Sequence, residues 1–378
     1  MTRNIQLFFI CLLATLCTGV AFAQHVFVQT AAGVSVFKTD MAKVGSYTVD
    51  GTLVGLSSSH LISLENGTFY AYPILSNGGV SKEAFSVNTA LYSDPSCGIP
   101  TGGVIRGSFV YATLPNGEND CYQIQTYEIE TSSFVFKGAS TEMQGNGITD
   151  VSGLPTFLGN GKFAYAFVYN GIDETSCNGP DLSLFTAESS GTLNGAGGND
   201  GTVPTETWPT PPPGYPNWAL LGLMAADSTD HVALTVEALN NGGNCGVGYG
   251  EPTYGPPQLL SATVNSQGNL SSTNTYKNMP RVGKASLLTI NSAGTFLAAA
   301  VGTGTQVFKF HGASPITTLD GSPVIGTSGY IVSMAWSGDT LYAVNGASGK
   351  LHVYTVTTKV VEDKGSPYSL GALAVFVK

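Results

Sequence analysis

Two copies of one pattern fill the last quarter of the chain, over residues 285–378. Each copy has short apolar or alternating segments separated by glycine, asparagine, aspartate or serine, and each ends on a Gly-Ser-Pro triplet. The segments cover residues 286–291, 296–301 and 306–310 in the first copy and 331–336, 340–344 and 351–356 in the second. Such segments, cut by turn residues, predict consecutive antiparallel strands joined by tight turns.

The length of the repeat indicates one architecture. A four-stranded unit that recurs at roughly 40–50 residues is typical of a β-propeller blade. Comparable units extend upstream, and the first unit lacks a strand, whereas a lone strand over 372–377 ends the chain. We therefore expect an all-β fold: a seven-bladed β-propeller of four-stranded antiparallel blades, closed by N- and C-terminal strands that share one blade.

The first residues have the features of a secretory signal. Arg3 is followed by an apolar run over residues 7–16, and Ala21-Phe22-Ala23 has small residues where a signal peptidase cleaves. This pattern predicts a signal peptide over residues 1–23 with cleavage before Gln24, and hence a secreted or periplasmic protein. Residues 24–378 are then a single propeller domain, which we expect to be a monomer.

Composition excludes two classes of partner. The net charge is −10 at pH 7 and only 11% of the residues are charged. An acidic surface repels phosphate backbones, so nucleic acid is not expected as a partner. The apolar run near the start is too short for a membrane-spanning helix and no later segment is apolar enough, so we expect no membrane span.

Two stretches interrupt the strand rhythm. Residues 189–217 are rich in glycine, threonine and proline and predict an exposed loop insertion, while residues 240–257 expand a hairpin of the fifth unit. Three aromatic side chains flank the first stretch: Trp208, Tyr215 and Trp218. They are placed to stack on a sugar ring, to grip a peptide, or to pin the loop to the propeller, and the sequence leaves these alternatives open.

Four cysteines follow the predicted signal: Cys97, Cys121, Cys177 and Cys245. Export to an oxidising compartment makes two disulfides the expectation. In a meander blade, the positions of these residues predict that they cluster on one face, and Cys97–Cys121 with Cys177–Cys245 is then the favoured of the three pairings. No C-x-x-C pair occurs, which disfavours a zinc site.

The repeat resembles the lactonase-type seven-bladed β-propellers, also called YVTN-repeat propellers. The matching residues are those at 291–297, 337–345 and 351–356 and the Gly-Ser-Pro triplets that begin at Gly321 and Gly365. Characterised members act on lactones of sugar acids or related acids. The resemblance implies that arginines hold an anionic substrate near a histidine or glutamate at the mouth of the central channel.

Few residues of this chain suit that chemistry. Arg106 and Arg281 are the arginines that follow the signal, and each is expected near the start of an inner strand; Glu237 ends a second strand nearby. The two guanidinium groups can clamp a carboxylate and Glu237 can act as a base toward water. The alternative is that each arginine satisfies loop carbonyls. The histidines are scattered and Gly-x-Ser-x-Gly is absent, so we expect no metal or cofactor site.

Two functions remain open from the sequence. The first is a non-catalytic binding or scaffold propeller for a small molecule, glycan or protein ligand, which the shortage of catalytic residues favours. The second is a lactone hydrolase that uses Arg106, Glu237 and Arg281. The positions of these three side chains distinguish the two functions, because the enzyme needs all three to meet at one channel mouth.

Overall fold

A computed structural model gives the fold. It describes residues 24–378 apart from 93–97, 101, 115–122, 141–147, 152–153, 171–180, 196–204, 241–252, 303, 320–324, 327–328 and 364. The predicted signal peptide and all four cysteines of the predicted disulfides, Cys97, Cys121, Cys177 and Cys245, lie outside the described residues. No helix of the described part is long and apolar enough to cross a membrane.

Seven antiparallel sheets, each with four main strands, form the fold, so the predicted seven-bladed β-propeller is confirmed. The first three blades follow, each from its innermost strand outwards. Blade 1 contains β33 (Ala372–Val377), β1 (His25–Thr30), β2 (Gly33–Lys38) and β3 (Lys43–Tyr47). Blade 2 contains β4 (Thr52–Leu56), β5 (His60–Glu65), β6 (Thr68–Pro73) and β7 (Phe85–Asn88). Blade 3 contains β8 (Gly103–Arg106), β9 (Phe109–Leu114), β10 (Gln123–Ile129) and β11 (Phe134–Ala139).

The next two blades carry additional short strands. Blade 4 contains an inner strand in two pieces, β12 (Ile148–Val151) and β13 (Thr156–Phe157), then β14 (Phe163–Asn170), β15 (Asp181–Ala187) and β16 (Leu193–Gly195). Blade 5 contains β18 (Asn217–Ala226), β19 (His231–Asn240), β21 (Gln258–Val264) and β22 (Leu270–Ser271), with β17 (Thr205–Thr207) parallel to β22 and β20 (Thr253–Tyr254) paired with β19.

The last two blades are the two sequence repeats. Blade 6 contains β23 (Ala285–Ile290), β24 (Phe296–Val301), β25 (Gly304–His311) and β26 (Ser314–Thr318), and β27 (Ile325–Gly326) pairs with β25. Blade 7 contains β28 (Ile331–Ser337), β29 (Thr340–Asn345), β30 (Lys350–Val356) and β31 (Val360–Glu362), and β32 (Tyr368–Ser369) pairs with β30. The repeat is therefore one blade long, as the turn spacing predicts.

The two chain ends close the ring in blade 1. Strand β33 pairs antiparallel with β1, with Val26 opposite Val377 and Val28 opposite Val375. This confirms the predicted sharing of one blade by the two termini. Because the last strand is hydrogen-bonded to the first, the described propeller has no gap in its ring where an open sheet edge would invite aggregation.

The core lies between blades rather than at one centre. Each of seven clusters of buried apolar side chains joins two neighbouring blades; between blades 6 and 7, for example, Leu341 and Tyr354 pack against Ala298 and Val307. Both faces of a blade are therefore buried, which explains why strands such as β24 are apolar along their length instead of alternating.

We name the two faces of the ring by the direction of the inner strands. All inner strands run the same way, because each meander has four strands and the next blade begins where the last one ends. The upper face is the side on which inner strands begin, and it carries the connections between blades. The lower face is the side on which inner strands end, and it carries the hairpins between first and second strands.

Two details of the middle blades were not resolved by the sequence. The inner strand of blade 3, β8, lies after Cys97, which decides the register that the sequence left open. Two short strands, β16 and β17, lie within the stretch 189–217 that the sequence suggests is a loop. Strand β16 has too few apolar residues to be recognised from its pattern, since only Leu193 is buried.

Candidate binding face at the channel mouth

The three candidate catalytic residues do not come together. Glu237 lies near the end of the second strand of blade 5, and Arg281 precedes the inner strand of blade 6, so both belong to the upper face. Arg106 is the last residue of the inner strand of blade 3, so it belongs to the lower face. The expectation that Arg106 and Arg281 are similarly placed needs correcting, because β8 ends at Arg106 instead of beginning after it.

Glu237 has an unusual environment on the upper face. It lies opposite Ala219 in the ladder between the first and second strands and is half-buried. Burial raises the pKa of its carboxyl group above the ordinary value, and the positive charge of Lys284 acts in the opposite direction. Among the described residues Glu237 forms no ion pair, so its carboxylate remains available at this face.

Arg281 is exposed and is positioned by its backbone. It forms an isolated β-bridge with Gln258. The Gln258 amide nitrogen Nε2 donates to the carbonyl oxygens of Tyr276 (3.0 Å) and Met279 (2.8 Å), which fixes the turn that leads to Arg281. The positive charge that acts on the Glu237 carboxylate is that of Lys284 rather than that of Arg281.

Arg106 serves the contact between blades 3 and 4. Its guanidinium carbon lies 5.0 Å from the centre of the Phe157 ring, and Nη2 donates to the carbonyl oxygen of Gly159 at 3.4 Å. Gly161 has a φ of 78°, and a Cβ there would stand 2.7 Å from Nη2, so the hairpin leaves space for the guanidinium. These contacts correspond to the alternative in which the arginine satisfies loop carbonyls.

β-Bulges shape the mouth of the channel on the upper face. The pairing of the inner strand with its neighbour shifts register in six of the seven blades, and β8 is the exception within the described residues. The shifts leave Val54, Val332 and Leu373 without a ladder partner in blades 2, 7 and 1. Bulges reorient side chains and are frequent beside binding sites. No sequence signal marks them, since the bulged residues are ordinary strand formers.

Exposed apolar side chains collect at the same mouth. Five of them begin, precede or lie within inner strands: Ile99 (46% exposed), Leu154 (43%), Tyr330 (59%), Val332 (38%) and Leu373 (53%). They belong to blades 1, 3, 4 and 7, which are two pairs of neighbouring blades on the ring. Scattered exposed hydrophobic residues are normal in proteins, but a group of this kind around one opening indicates an interaction site.

A cleft of about 430 Å³ opens beside two of these residues, Ile99 and Leu154, and we name it the mouth cleft. Its lining includes Thr52, Val54, Asn66, Ile99, Gly103 and Leu154. Gly103 lets the two strands approach closely here, since a Cβ would stand 3.2 Å from both the Val54 side chain and the Tyr111 carbonyl oxygen. An apolar lining with a few polar groups is typical of a small-molecule site.

Two of the histidines pair with carboxylates, which the sequence analysis missed. His231 Nδ1 lies 2.9 Å from Asp227 Oδ2, and His352 Nδ1 lies 2.8 Å from Glu362 Oε1. The signal for the first pair is an Asp and a His four residues apart across a hairpin. Within the described residues no group of three or more His, Cys, Asp or Glu side chains is arranged to hold a metal ion.

One of the aromatic residues beside the first long stretch has a structural contact. Trp218 Nε1 donates to the carbonyl oxygen of Pro209 at 2.7 Å, and Trp208 and Trp218 both pack against the core between blades 4 and 5. Trp218 therefore holds the loop against the propeller, while Trp208 also lines a second cleft.

Comparison with protein-family models finds no match, and no curated protein matches the chain either. Solved structures match it along nearly its whole length. A periplasmic gluconolactonase from Pseudomonas aeruginosa aligns with a TM-score of 0.51 and 12% identity, covering 94% of this chain and 98% of that one. A protein from Bacteroides fragilis, provisionally assigned as a 6-phosphogluconolactonase, aligns with a TM-score of 0.54 and 12% identity, covering 96% and 99%.

A functionally unknown protein from Desulfotomaculum acetoxidans is equally similar. It aligns with a TM-score of 0.54 and 13% identity, covering 93% of this chain and 98% of that one. At such identity the likeness shows the fold and nothing about the chemistry. The chain therefore shares the propeller fold of these structures, one of which is a protein of unknown function.

Proposed function

We propose that the protein is an exported, non-catalytic binding propeller of the lactonase-like, YVTN-repeat type, and that it takes its ligand at the mouth cleft on the upper face. The position of Arg106 carries the proposal. This side chain is held between Phe157 and Gly159 on the lower face, at the opposite end of the channel from Glu237 and Arg281. A lactone site that needs two arginines and a carboxylate at one mouth is therefore not assembled.

The mouth cleft supplies the binding element. Its apolar side chains Val54, Ile99 and Leu154 give affinity for nonpolar surface, and Asn66 and Thr52 add hydrogen-bonding groups. A volume of about 430 Å³ suits a small molecule or the side chains of a bound segment.

A lactone hydrolase is the second candidate, and one observation favours it. Burial raises the pKa of Glu237, which brings a carboxylate closer to the range in which it accepts a proton from water near neutral pH. Lys284 and Arg281 would then stabilise negative charge on the same face. A hydrolase of this kind would not use Arg106.

Base-titrated hydrolysis of a panel of sugar-acid and simple lactones separates the two candidates. The panel is tested with the purified protein and with the variants Glu237→Gln, Arg281→Ala and Arg106→Ala. The binding proposal expects rates equal to the spontaneous ones for all proteins. Turnover that Glu237→Gln and Arg281→Ala abolish and Arg106→Ala retains would replace the proposal with the hydrolase.

The proposal also includes export and two disulfides. Mass spectrometry of the protein made with its own leader is expected to show a chain that begins at Gln24. Peptide mapping without reduction is expected to find Cys97, Cys121, Cys177 and Cys245 in two linked pairs. A chain that retains residues 1–23, or four free thiols, would contradict this part of the account.

A further inference from the structure

The outer edge of blade 5 holds a second cleft, remote from the inner strands. It has a volume of about 480 Å³ and lies between residues 208–210 and residues 272–277. We propose that this perimeter cleft binds a saccharide, with Trp208 and Tyr276 as the stacking surfaces. The inference names a site separate from the mouth cleft and does not depend on the proposed function.

The cleft forms where two parallel segments separate. The edge strand β17 pairs with β22, and the Ser272 nitrogen donates to the Thr207 carbonyl oxygen at 3.0 Å. The ladder stops there because Pro209 has no N–H to continue it. Beyond that point the two segments diverge and leave the space that Trp208 and Tyr276 line.

The first wall is held rigidly from behind. Pro209 is buried, and its carbonyl oxygen accepts the 2.7 Å hydrogen bond from Trp218 Nε1. Trp208 is half-buried and packs against the core between blades 4 and 5. The exposed part of the Trp208 side chain is thus fixed in place before any ligand arrives.

The second wall is held by a buried amide. Asn274 is 5% exposed; its Oδ1 accepts from the Ser261 nitrogen at 3.0 Å and its Nδ2 donates to Ser261 Oγ at 3.0 Å. The Tyr276 carbonyl oxygen accepts from Gln258 Nε2 at 3.0 Å. Both walls are therefore preorganised, which lowers the entropic cost of binding.

The lining has the chemistry that a sugar ring requires. Trp208 and Tyr276 present aromatic surface on which the C–H face of a pyranose packs. The hydroxyl groups of Thr210 and Thr275 are exposed and have no hydrogen-bond partner among the described residues, so they can bond to sugar hydroxyls. Lys277 is the charged residue of the lining, and it favours a ring with a carboxylate substituent.

An extended peptide suits the cleft less well. Peptides that dock on a sheet edge depend on free main-chain donors and acceptors. In this cleft the carbonyl oxygens of Pro209 and Tyr276 are already hydrogen-bonded inside the protein, and Pro209 has no donor. The exposed hydroxyl groups of Thr210 and Thr275 instead favour a saccharide.

Calorimetric titration tests the inference with three probes: cellohexaose, chitohexaose and hexagalacturonate. We expect saturable binding of at least one of them, with a change in tryptophan fluorescence. The double variant Thr210→Val/Thr275→Val keeps the shape of the cleft and removes the two hydroxyls, so it is expected to weaken binding about tenfold. Thr358→Val, an exposed threonine at the outer hairpin of blade 7, is the matched control and should bind like the parent.

Further variants separate stacking from folding. Trp208→Phe retains an aromatic surface and should bind more weakly, while Trp208→Ala should abolish binding in protein whose circular dichroism is unchanged. Should Trp208→Ala fail to fold, the threonine variant still decides the question. Absence of binding for all three probes by folded parent protein, or binding that the threonine variant leaves unchanged, would overturn the inference. Lactone turnover is measured on the same samples and is expected to be the same in parent and variants.

Discussion

The upper and lower faces of the propeller are built in different ways. On the lower face, side chains of successive hairpins are linked to one another. Asn160 donates to Asp230 between blades 4 and 5, Asn291 Nδ2 donates to Asp339 Oδ1 at 3.0 Å between blades 6 and 7, and Ser337 contacts Gln24 between blades 7 and 1. The lower face therefore braces the ring.

The upper face carries longer connections, register shifts and exposed apolar groups. Its mouth includes Ile99, Leu154 and Leu373, all more than two-fifths exposed, and both clefts open toward this side or the adjoining outer edge. Loops on a rigid scaffold are where binding groups concentrate. The comparison teaches that the lower face stabilises the ring, whereas the upper face carries the exposed apolar groups on which the proposed ligand binding rests.

The largest expected effect comes from two leucines of blade 4. Leu158 is 1% exposed in the core between blades 4 and 5, whereas Leu154 is 43% exposed at the mouth. Leu158→Ala should reduce the free energy of unfolding by about 3 kcal/mol, because it leaves a cavity. Leu154→Ala should reduce it by less than about 0.5 kcal/mol. Chemical denaturation measures both; equal losses would show that the mouth is structural as well.

A smaller loss is expected when a lower-face link is cut. Asn291 is 1% exposed, its Oδ1 accepts from the nitrogens of Thr295 and Phe296, and its Nδ2 donates to Asp339. Asn291→Ala removes the acceptor of these two part-buried nitrogens together with the link to Asp339, and it should cost about 2 kcal/mol. Asn66→Gly, in an exposed turn of the upper face with φ of 48°, is the control and should cost nothing. A melting curve unchanged by Asn291→Ala would refute the bracing role.

The hairpin of blade 5 should make stability depend on pH. Burial alone would raise the pKa of Asp227, but hydrogen bonds from Thr229 and His231 outweigh it and hold the pKa below the ordinary value. Because the folded-state pKa of Asp227 is lowered, its ionisation stabilises the fold at pH values above the pKa that it has in the unfolded chain. This stability is lost as the pH falls through the folded-state pKa. Asp227→Asn should therefore cost about 1.5 kcal/mol at pH 7 and progressively less in acid. A cost that stays constant with pH would contradict this assignment.

The smallest expected effect has the opposite sign and lies on the upper face. Because burial raises the pKa of Glu237, the folded state binds a proton more readily than the unfolded state. Ionisation of Glu237 therefore destabilises the fold as the pH rises from the unfolded-state pKa through the folded-state pKa. Glu237→Gln should raise the melting temperature slightly at pH 7 and leave it unchanged at pH 4. Glu83→Gln, at an exposed position, is the control. A destabilising Glu237→Gln would mean that the carboxylate has an attractive partner.

The fold was predictable from the sequence and the site was not. Blades 6 and 7 are visible because turns of glycine, asparagine and aspartate separate strands such as β24 and β29, and the lone final strand beside a short first unit predicted closure. The position of Arg106 depended on the register of β8, which no turn residue fixed. The mouth depends on bulges at ordinary residues such as Val54 and Val332, and no local pattern marks a bulge.

The same reasons explain the missed contacts. Trp208 and Tyr276 are far apart in the chain. The segments that carry them become the two walls of the perimeter cleft only through the parallel pairing of β17 with β22. A strand as short as β17 gives no periodic signal. The sequence placed Trp218 beside the loop, but it did not indicate that its Nε1 donates to the Pro209 carbonyl oxygen.

Native-state hydrogen exchange tests the central difference between the two faces most directly. Amides in the lower-face hairpins, such as those of His231 and Phe296, should exchange only with global unfolding, because buried side-chain oxygens hold them. Amides in upper-face connections, such as those of Tyr215 and Asn278, should exchange through local opening at much lower free energy. Equal protection of both faces, or stronger protection of the upper face, would contradict the division between a bracing face and a binding face.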